Sequence, residues 1–339
     1  MLTAPRRLLT LLVTALLLVT TFGDAAWSEP TPGADEDGGQ NLTVRQALDK
    51  ATAEYNDAKG RLDKSVADQT TIGDQMTKTQ ARLTELQASA GSIANAAYRG
   101  RRVSLVNVII GAQNADDMLH NMVTVEYLAQ LENDQLHEVR TTQQQLEQQR
   151  KDIDAAVANQ QAQLKIMEAN KKAAEDALRK AGGGADVSGG VPSGGKVTTN
   201  PVARNSDGSY PKEGCTGDDP TTSGCQSPRT TNMYNEARKA GFTHYTSCYR
   251  SGGGGDHPLG KACDFSANAS TFVNARATGS DKTYGDNLAA WALANAKNLG
   301  IKYVIWYKRI WQPSSGWKSY GGDGTPAGDH YNHVHISMQ

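Results

Sequence analysis

The chain has 339 residues with 35 Lys and Arg against 36 Asp and Glu, which gives a formal net charge of −1 at pH 7. This balance, without a concentrated basic run, argues against nucleic acid as a partner. The glycine runs at 182–184 and 252–255 lack the strand–loop–helix context of phosphate-binding loops, and we interpret them as mobile loops.

The N-terminus has the pattern of a secretory signal peptide. A pair of arginines precedes an apolar run over residues 8–19, and small residues follow near Ala25. This run is shorter than the roughly 20 apolar residues that a membrane span needs. We therefore predict a signal peptide at 1–27, a disordered stretch at 28–40 and a secreted, extracellular protein.

Residues 41–181 are predicted to form an antiparallel coiled-coil helical hairpin. From Leu48 to Ile93, eleven of the fourteen first and fourth heptad positions are apolar. A second, weaker seam is assigned to Leu136, Val157, Leu164 and Leu178 with Val139, Leu146, Ile153 and Met167. At a rise of 1.5 Å per residue, each arm would measure on the order of 80–100 Å.

The predicted hairpin tip, residues 97–120, is too apolar for a solvated loop. It resembles the tip of the coiled-coil regions that precede wall-hydrolase domains in several secreted bacterial proteins. Two interpretations stay open, a tip packed on itself and a docking surface for a partner such as a membrane-protein regulator. The sequence leaves the oligomeric state open.

A Gly/Ser-rich linker is predicted at 182–209 and an α+β domain at 210–339, with helices beside a mainly antiparallel sheet. Helices are predicted near 230–240 and 286–299, and strands near 243–249, 262–266, 302–307, 309–312 and 333–337.

All four cysteines lie in this last domain, and an even number in a secreted domain indicates disulfides. Of the three connectivities, we favour Cys215 with Cys225 and Cys248 with Cys263. The first closes a short polar loop, and the second ties the strand before the histidine loop to the strand after it.

Two segments of the C-terminal domain carry four of the seven histidines, a loop at 256–264 and the C-terminal run 329–335. Because side chains alternate along a strand, His333 and His335 would point to the same face. Two imidazoles and one carboxylate, with a fourth position left open, match the needs of a catalytic zinc ion. Zinc is therefore the expected cofactor.

His257, Gly260, Ala262 and Asp264 match the His-x-x-Gly-x-Ala-x-Asp pattern of the zinc D-Ala-D-Ala carboxypeptidases and related endolysins, the M15 peptidases. The C-terminal His-Val-His resembles their His-x-His. The resemblance implies a zinc DD-peptidase-like fold with His257, Asp264 and His335 as zinc ligands. It also implies that His333 transfers protons and that Arg250 binds a substrate carboxylate.

The resemblance further implies a peptidase that acts on cell-wall peptide stems, with peptidoglycan peptides as partners and a cell-wall location. The glutamate often found three residues before a C-terminal histidine is replaced here, because His330 precedes His333 and Asn332 precedes His335. Asp329, His330 and His333 are the candidates for the general base.

Two other functions stay open. The missing glutamate is consistent with a wall-binding protein that does not cut. Asp256, Asp264 and Asp329 are candidate carboxylates for a glycan hydrolase, which needs two of them at a defined separation.

The coiled coil is expected either to restrain the enzyme or to serve as a spacer. A flexible linker of this length spans near 30 Å on average, so the domain could fold back onto the helices. If the arm restrains the site, residues 210–339 alone should digest wall material faster than a chain that also carries residues 41–181.

Overall fold

The computed structural model describes residues 42–98, 111–187, 190 and 192–339. The predicted signal peptide, the stretch 28–40 and part of the hairpin tip lie outside the described residues. Within the described ranges, no helix is long and apolar enough to cross a membrane.

Two long helices, α1 (Leu42–Tyr98) and α2 (Ala115–Lys180), form the N-terminal part. They run antiparallel, because early residues of α1 contact late residues of α2. Ser65 Oγ donates to the carbonyl oxygen of Ala156 at 3.1 Å, and Arg82 Nη2 lies 2.6 Å from Glu138 Oε1. The structure therefore has the long helical hairpin that the heptads predict.

Of the two residue sets assigned to the α2 seam, the set that contains Leu146 keeps its register, and Leu178 of the other set is buried as predicted. The rest of that other set needs a correction of one residue. Leu136 and Leu164 are 53% and 52% exposed. The buried positions on α2 that follow the heptad spacing are Thr142, Leu146, Gln149, Gln163, Ala174 and Ala177. Several of these are polar, and a register chosen by hydrophobicity alone therefore shifts to the neighbouring leucines.

The C-terminal part combines helices with antiparallel sheets. Its helices are α3 (Pro228–Lys239) and α4 (Gly279–Leu299). Its strands are β1 (Gly217–Asp218), β2 (Cys225–Gln226), β3 (Thr246–Ser247), β4 (Ala262–Ser266), β5 (Ile301–Trp306), β6 (Arg309–Gln312), β7 (Gly316–Ser319) and β8 (His333–Met338). The main sheet has the order β3-β4-β8-β5-β6-β7, and β1 pairs with β2. Helices beside an antiparallel sheet are present, as predicted.

The two faces of the main sheet are covered differently. On one face, alternate strand residues such as Phe265, Val334 and Trp306 pack against α3 and α4 in the main core. On the other face, Tyr303 and Ile305 pack against the base of the helical hairpin. The hairpin base therefore forms a third layer on the sheet.

Both disulfides of the favoured connectivity are formed, Cys215 with Cys225 and Cys248 with Cys263. The second joins the residue that follows β3 to the second residue of β4. Because the described residues contain no free cysteine, ligation of a metal by cysteine is excluded for them.

The described parts of the Gly/Ser-rich segment 182–209 differ from the flexible tether that composition predicts. The backbone nitrogen of Gly184 donates to Ser319 O at 2.9 Å, and that of Thr198 donates to the Asn295 side chain at 2.8 Å. The Trp291 indole donates to Thr198 Oγ1 at 2.8 Å. The segment runs along the surface of the domain, held by partners far away in sequence.

Candidate metal centre

The pairing of β4 with β8 brings the C-terminal histidines to the aspartate. Asp264 lies directly opposite His335, and Ser266 lies opposite His333. These residues share the face that carries Tyr303, whereas the odd-numbered residues of β4 enter the core. The two-residue alternation predicted from the sequence therefore places both histidines beside Asp264.

The loop before β4 positions His257. The backbone nitrogen of Lys261 donates to Asp256 O at 2.8 Å, and that of Gly260 donates to His257 O at 3.0 Å. Gly260 has φ +65°, and a side chain there would collide with Cys215 and with the backbone of β2. Glycine at this position lets the loop turn tightly against the first disulfide.

Three donor atoms converge between the loop and the two strands. His257 Nε2 lies 3.2 Å from His335 Nδ1 and 3.2 Å from Asp264 Oδ2. His335 Nδ1 lies 2.8 Å from Asp264 Oδ1. One ligand atom from each residue lies within 4.8 Å of the others, and all three residues are buried.

The other ring nitrogens of these histidines have partners that orient the rings. His257 Nδ1 lies 2.5 Å from Cys248 O, so Nδ1 carries the proton and the Nε2 lone pair faces the cluster. His335 Nε2 lies 2.9 Å from Ser337 Oγ. Such outer contacts are typical of metal-binding histidines.

The electrostatics favour a neutral His335 and an ionised Asp264. Burial lowers the pKa of the His335 imidazole to about 4, against the opposing influence of Asp264. Burial raises the pKa of the Asp264 carboxyl, but His257, His333 and His335 outweigh it and hold that pKa well below its ordinary value. Neutral imidazole and ionised carboxylate are the forms that coordinate zinc.

His333 and His330 stand beside the cluster. His333 Nδ1 lies 2.8 Å from Asn332 Oδ1, and its Nε2 lies 3.5 Å from Asp264 Oδ1. The rings of His330 and His333 have centroids 4.6 Å apart. Burial, and then the charge of His333, lowers the pKa of His330 well below its ordinary value.

The remaining predicted residues differ in their placement. Arg250 Nη1 lies 3.2 Å from Asp264 Oδ2, at the rim of the cluster. Asp329 does not join the histidines, because its carboxylate binds Lys308 Nζ at 2.9 Å and the backbone nitrogen of Gly324 at 3.2 Å. The structure thus gives Asp329 a role in holding its loop.

A cavity of ≈ 200 Å³ opens over the cluster. It is lined by Arg45, Arg250, Asp264, Phe272, Ala327, Gly328, His330, Asn332, His333 and His335. Sequence reasoning missed Arg45, Phe272 and the orienting Ser337. The alternation along β8 could have identified Ser337, but no local signal connects Arg45 in α1 with this site.

A family model described as VldE, C-terminal domain, matches residues 222–331, about a third of the chain. The match includes His257, Asp264 and His330 and ends before His333. No curated protein and no solved structure matches the chain.

Proposed function

We propose that the C-terminal domain is a zinc-dependent hydrolase. The observation that carries the proposal is the convergence of His257 Nε2, Asp264 and His335 Nδ1 within 4.8 Å under a cavity. The donor set fits zinc, because two imidazoles and one carboxylate leave a coordination position open. Bound there, zinc would supply a Lewis acid that polarises a carbonyl group and activates water.

The residues around the ligands have separate tasks in this proposal. His333 lines the cavity, where its imidazole in the neutral form can accept a proton from the nucleophile and return it to the leaving group. The Arg250 side chain is 41% exposed at the rim, from where its guanidinium can hold a substrate carboxylate.

We propose peptide stems of the bacterial cell wall as the substrate. The support is the resemblance of His257-x-x-Gly-x-Ala-x-Asp264 and His333-x-His335 to the zinc D-Ala-D-Ala carboxypeptidases and endolysins, together with the predicted secretion signal. The two disulfides fit an oxidising compartment, as expected for a protein that works outside the cytoplasm.

One observation supports the non-catalytic alternative. Among the described residues that line the cavity, Asp264 is the only carboxylate, and it belongs to the ligand set. A wall-binding protein would need no further base. The same observation disfavours a glycan hydrolase, which needs a second carboxylate in the site. The other two candidates are paired with lysines, Asp256 with Lys302 at 2.5 Å and Asp329 with Lys308.

The test combines metal analysis with digestion of purified peptidoglycan by the full chain. We expect stoichiometric zinc and released peptides. The variant His335→Gln should lose both, whereas His244→Gln, which changes a histidine stacked on Tyr284, should keep both. A folded chain without zinc would refute the metal site. Co-sedimentation without release would support the binding protein, and cut glycan would support the glycan hydrolase.

A further inference from the structure

The first turns of α1 reach the candidate metal centre. Arg45 is 5% exposed and lines the cavity together with Asp264, His330, His333 and His335. A Cβ atom added to Gly255 would lie 2.7 Å from Arg45 Nε. The arginine therefore passes directly over the glycine loop that leads to His257.

Apolar contacts and a hydrogen bond hold this part of α1 on the sheet. Leu48 and Ala51 are buried against Tyr303 and Ile305, on the same face as the ligands. One turn later, the Gln312 side chain donates to Thr52 Oγ1 at 2.7 Å. Specific contacts of the neighbouring residues on α1 therefore fix the position of Arg45.

A buried ionic cluster joins the same turn to the ligand loop. Lys302 Nζ lies 3.4 Å from Asp49 Oδ1 and 2.5 Å from Asp256 Oδ2. Asp49 belongs to α1, and Asp256 immediately precedes His257. The hairpin base and the metal loop are thus bound through one lysine.

The position of Arg45 has two consequences for a hydrolase. Its guanidinium adds a positive charge beside the site of a divalent cation, which opposes metal binding. Its side chain also fills part of the space that a substrate would enter. Thermodynamic linkage makes the two effects reciprocal: if docking of α1 weakens metal binding by some factor, metal binding weakens the docking of α1 by the same factor. Release of α1 therefore strengthens metal binding by that factor.

We propose that the first turns of α1, through the Arg45 side chain, form a removable plug over the metal centre. The docked plug weakens metal binding and blocks the substrate, and its displacement activates the site. This inference rests on the proposed zinc hydrolase. It assigns the helical hairpin a restraining role and names Arg45 as the residue that exerts it.

The test uses the full chain with Arg45→Ala and a matched control, Lys50→Ala. Lys50 lies five residues later on the exposed side of α1, with its side chain 72% exposed, and its replacement removes the same charge. Zinc affinity is measured by competition with a chromophoric chelator. We expect affinity to rise on the order of tenfold in R45A and to stay unchanged in K50A.

Peptide release from peptidoglycan is then compared at zinc concentrations that saturate every chain. R45A should release peptides several-fold faster than the wild type, with K50A at the wild-type rate. Arg45→Met, which keeps the aliphatic stem, repeats both measurements if R45A does not fold. If R45A, or its Met substitute, binds zinc with the wild-type affinity, or releases peptides at a measurable rate equal to that of the wild type, the plug is overturned.

The design separates the two proposals. If all chains cleave peptides at the same rate and bind zinc equally, the plug is wrong and the hydrolase stands. If all chains bind zinc but none releases peptides, the hydrolase is wrong and the affinity comparison alone decides the plug. If none binds zinc, both are wrong.

Discussion

The protonation state of the buried histidines makes the fold sensitive to acid. In the unfolded chain a histidine has a pKa of about 6.5, whereas burial lowers that of His335 to about 4 and lowers that of His330 as well. Between these values the unfolded state binds more protons, and the free energy of unfolding therefore falls as the pH falls.

We predict that the metal-free chain loses stability from pH 6.5 down to about 4, with His335 contributing on the order of 3 kcal/mol. Asp264 acts only below this window, because its unfolded pKa is near 3.9. The measurement is denaturant unfolding at pH 7 and pH 4.5, in the wild type and in His335→Gln. The variant should show the shallower pH dependence, and parallel curves would contradict the assignment.

The role of His333 can be separated from that of the ligands. Replacing His333 with Gln removes the imidazole at the cavity wall and leaves His257, Asp264 and His335 in place. We expect peptide release to fall about 10²–10⁴-fold with zinc stoichiometry unchanged. Rates and metal content are measured on the same samples, and a rate near that of the wild type would assign proton transfer to another group.

At the scale of single residues, much of the candidate site could be predicted from the sequence. Strand alternation placed His333 and His335 on one face, and the resemblance to the M15 peptidases implied His257, Asp264 and His335 as ligands, because both signals are local in sequence. The ion pair of Asp329 with Lys308 was not predicted, because nothing in the sequence connects these two residues. Arg45 was missed, because only the docking of α1 brings it to the cavity.

At the scale of secondary-structure elements, long apolar patterns predicted the bounds of strands and helices more accurately than short or polar patterns did. The strands β4, β5, β6 and β8 match their predicted ranges closely, whereas β1, β2 and β7 were not predicted. Each of those three has at most four residues and depends on its partners. The helix α4 begins at Gly279, seven residues before the predicted 286, since its first turns carry polar residues.

The polar seam of α2 leads to a prediction about the hairpin. Gln163 is 8% exposed, and its Oε1 atom is buried without a hydrogen-bond partner. Replacing Gln163 with Leu should therefore stabilise the helices by about 1–2 kcal/mol, since an unsatisfied polar atom is removed from the seam. The exposed Gln161→Leu is the control and should change stability by less than about 0.5 kcal/mol.

The measurement is the denaturant midpoint of the helical signal in circular dichroism. Equal midpoints for Gln163→Leu and Gln161→Leu would show that the seam position contributes nothing beyond helix propensity. A lower midpoint for Gln163→Leu would indicate that the amide has a partner across the seam.

At the scale of the whole described chain, the hairpin and the C-terminal domain are joined by specific contacts as well as by the linker. Asp57 accepts a hydrogen bond from the backbone nitrogen of Tyr210 at 2.9 Å, and Asp63 pairs with Lys297 at 2.8 Å. Composition predicted a tether because glycine and serine carry no packing signal. The positions that pin the segment, such as Asn295, lie in the domain and belong to its tertiary structure.

The ionic cluster at this junction carries the last prediction. Lys302 is 4% exposed between Asp49 and Asp256, and these two carboxylates raise its pKa against the opposing effect of burial. Replacing Lys302 with Met removes the cation that these two buried carboxylates share. Because removing one partner of a buried ion pair is costly, the free energy of unfolding should fall by about 3–5 kcal/mol.

The matched control is Lys239→Met, which breaks the surface pair with Glu236. The Lys239 side chain is 72% exposed, and a pair of this kind contributes at most about 1 kcal/mol. Thermal and denaturant unfolding of both variants at pH 7 make the comparison. Protonation of Asp49, whose pKa is raised first by burial and then by Asp256, should relieve part of the loss. The gap between Lys302→Met and the wild type should therefore narrow as the pH is lowered toward 5, and a gap that is constant with pH would show that the carboxylates are not in electrostatic contact.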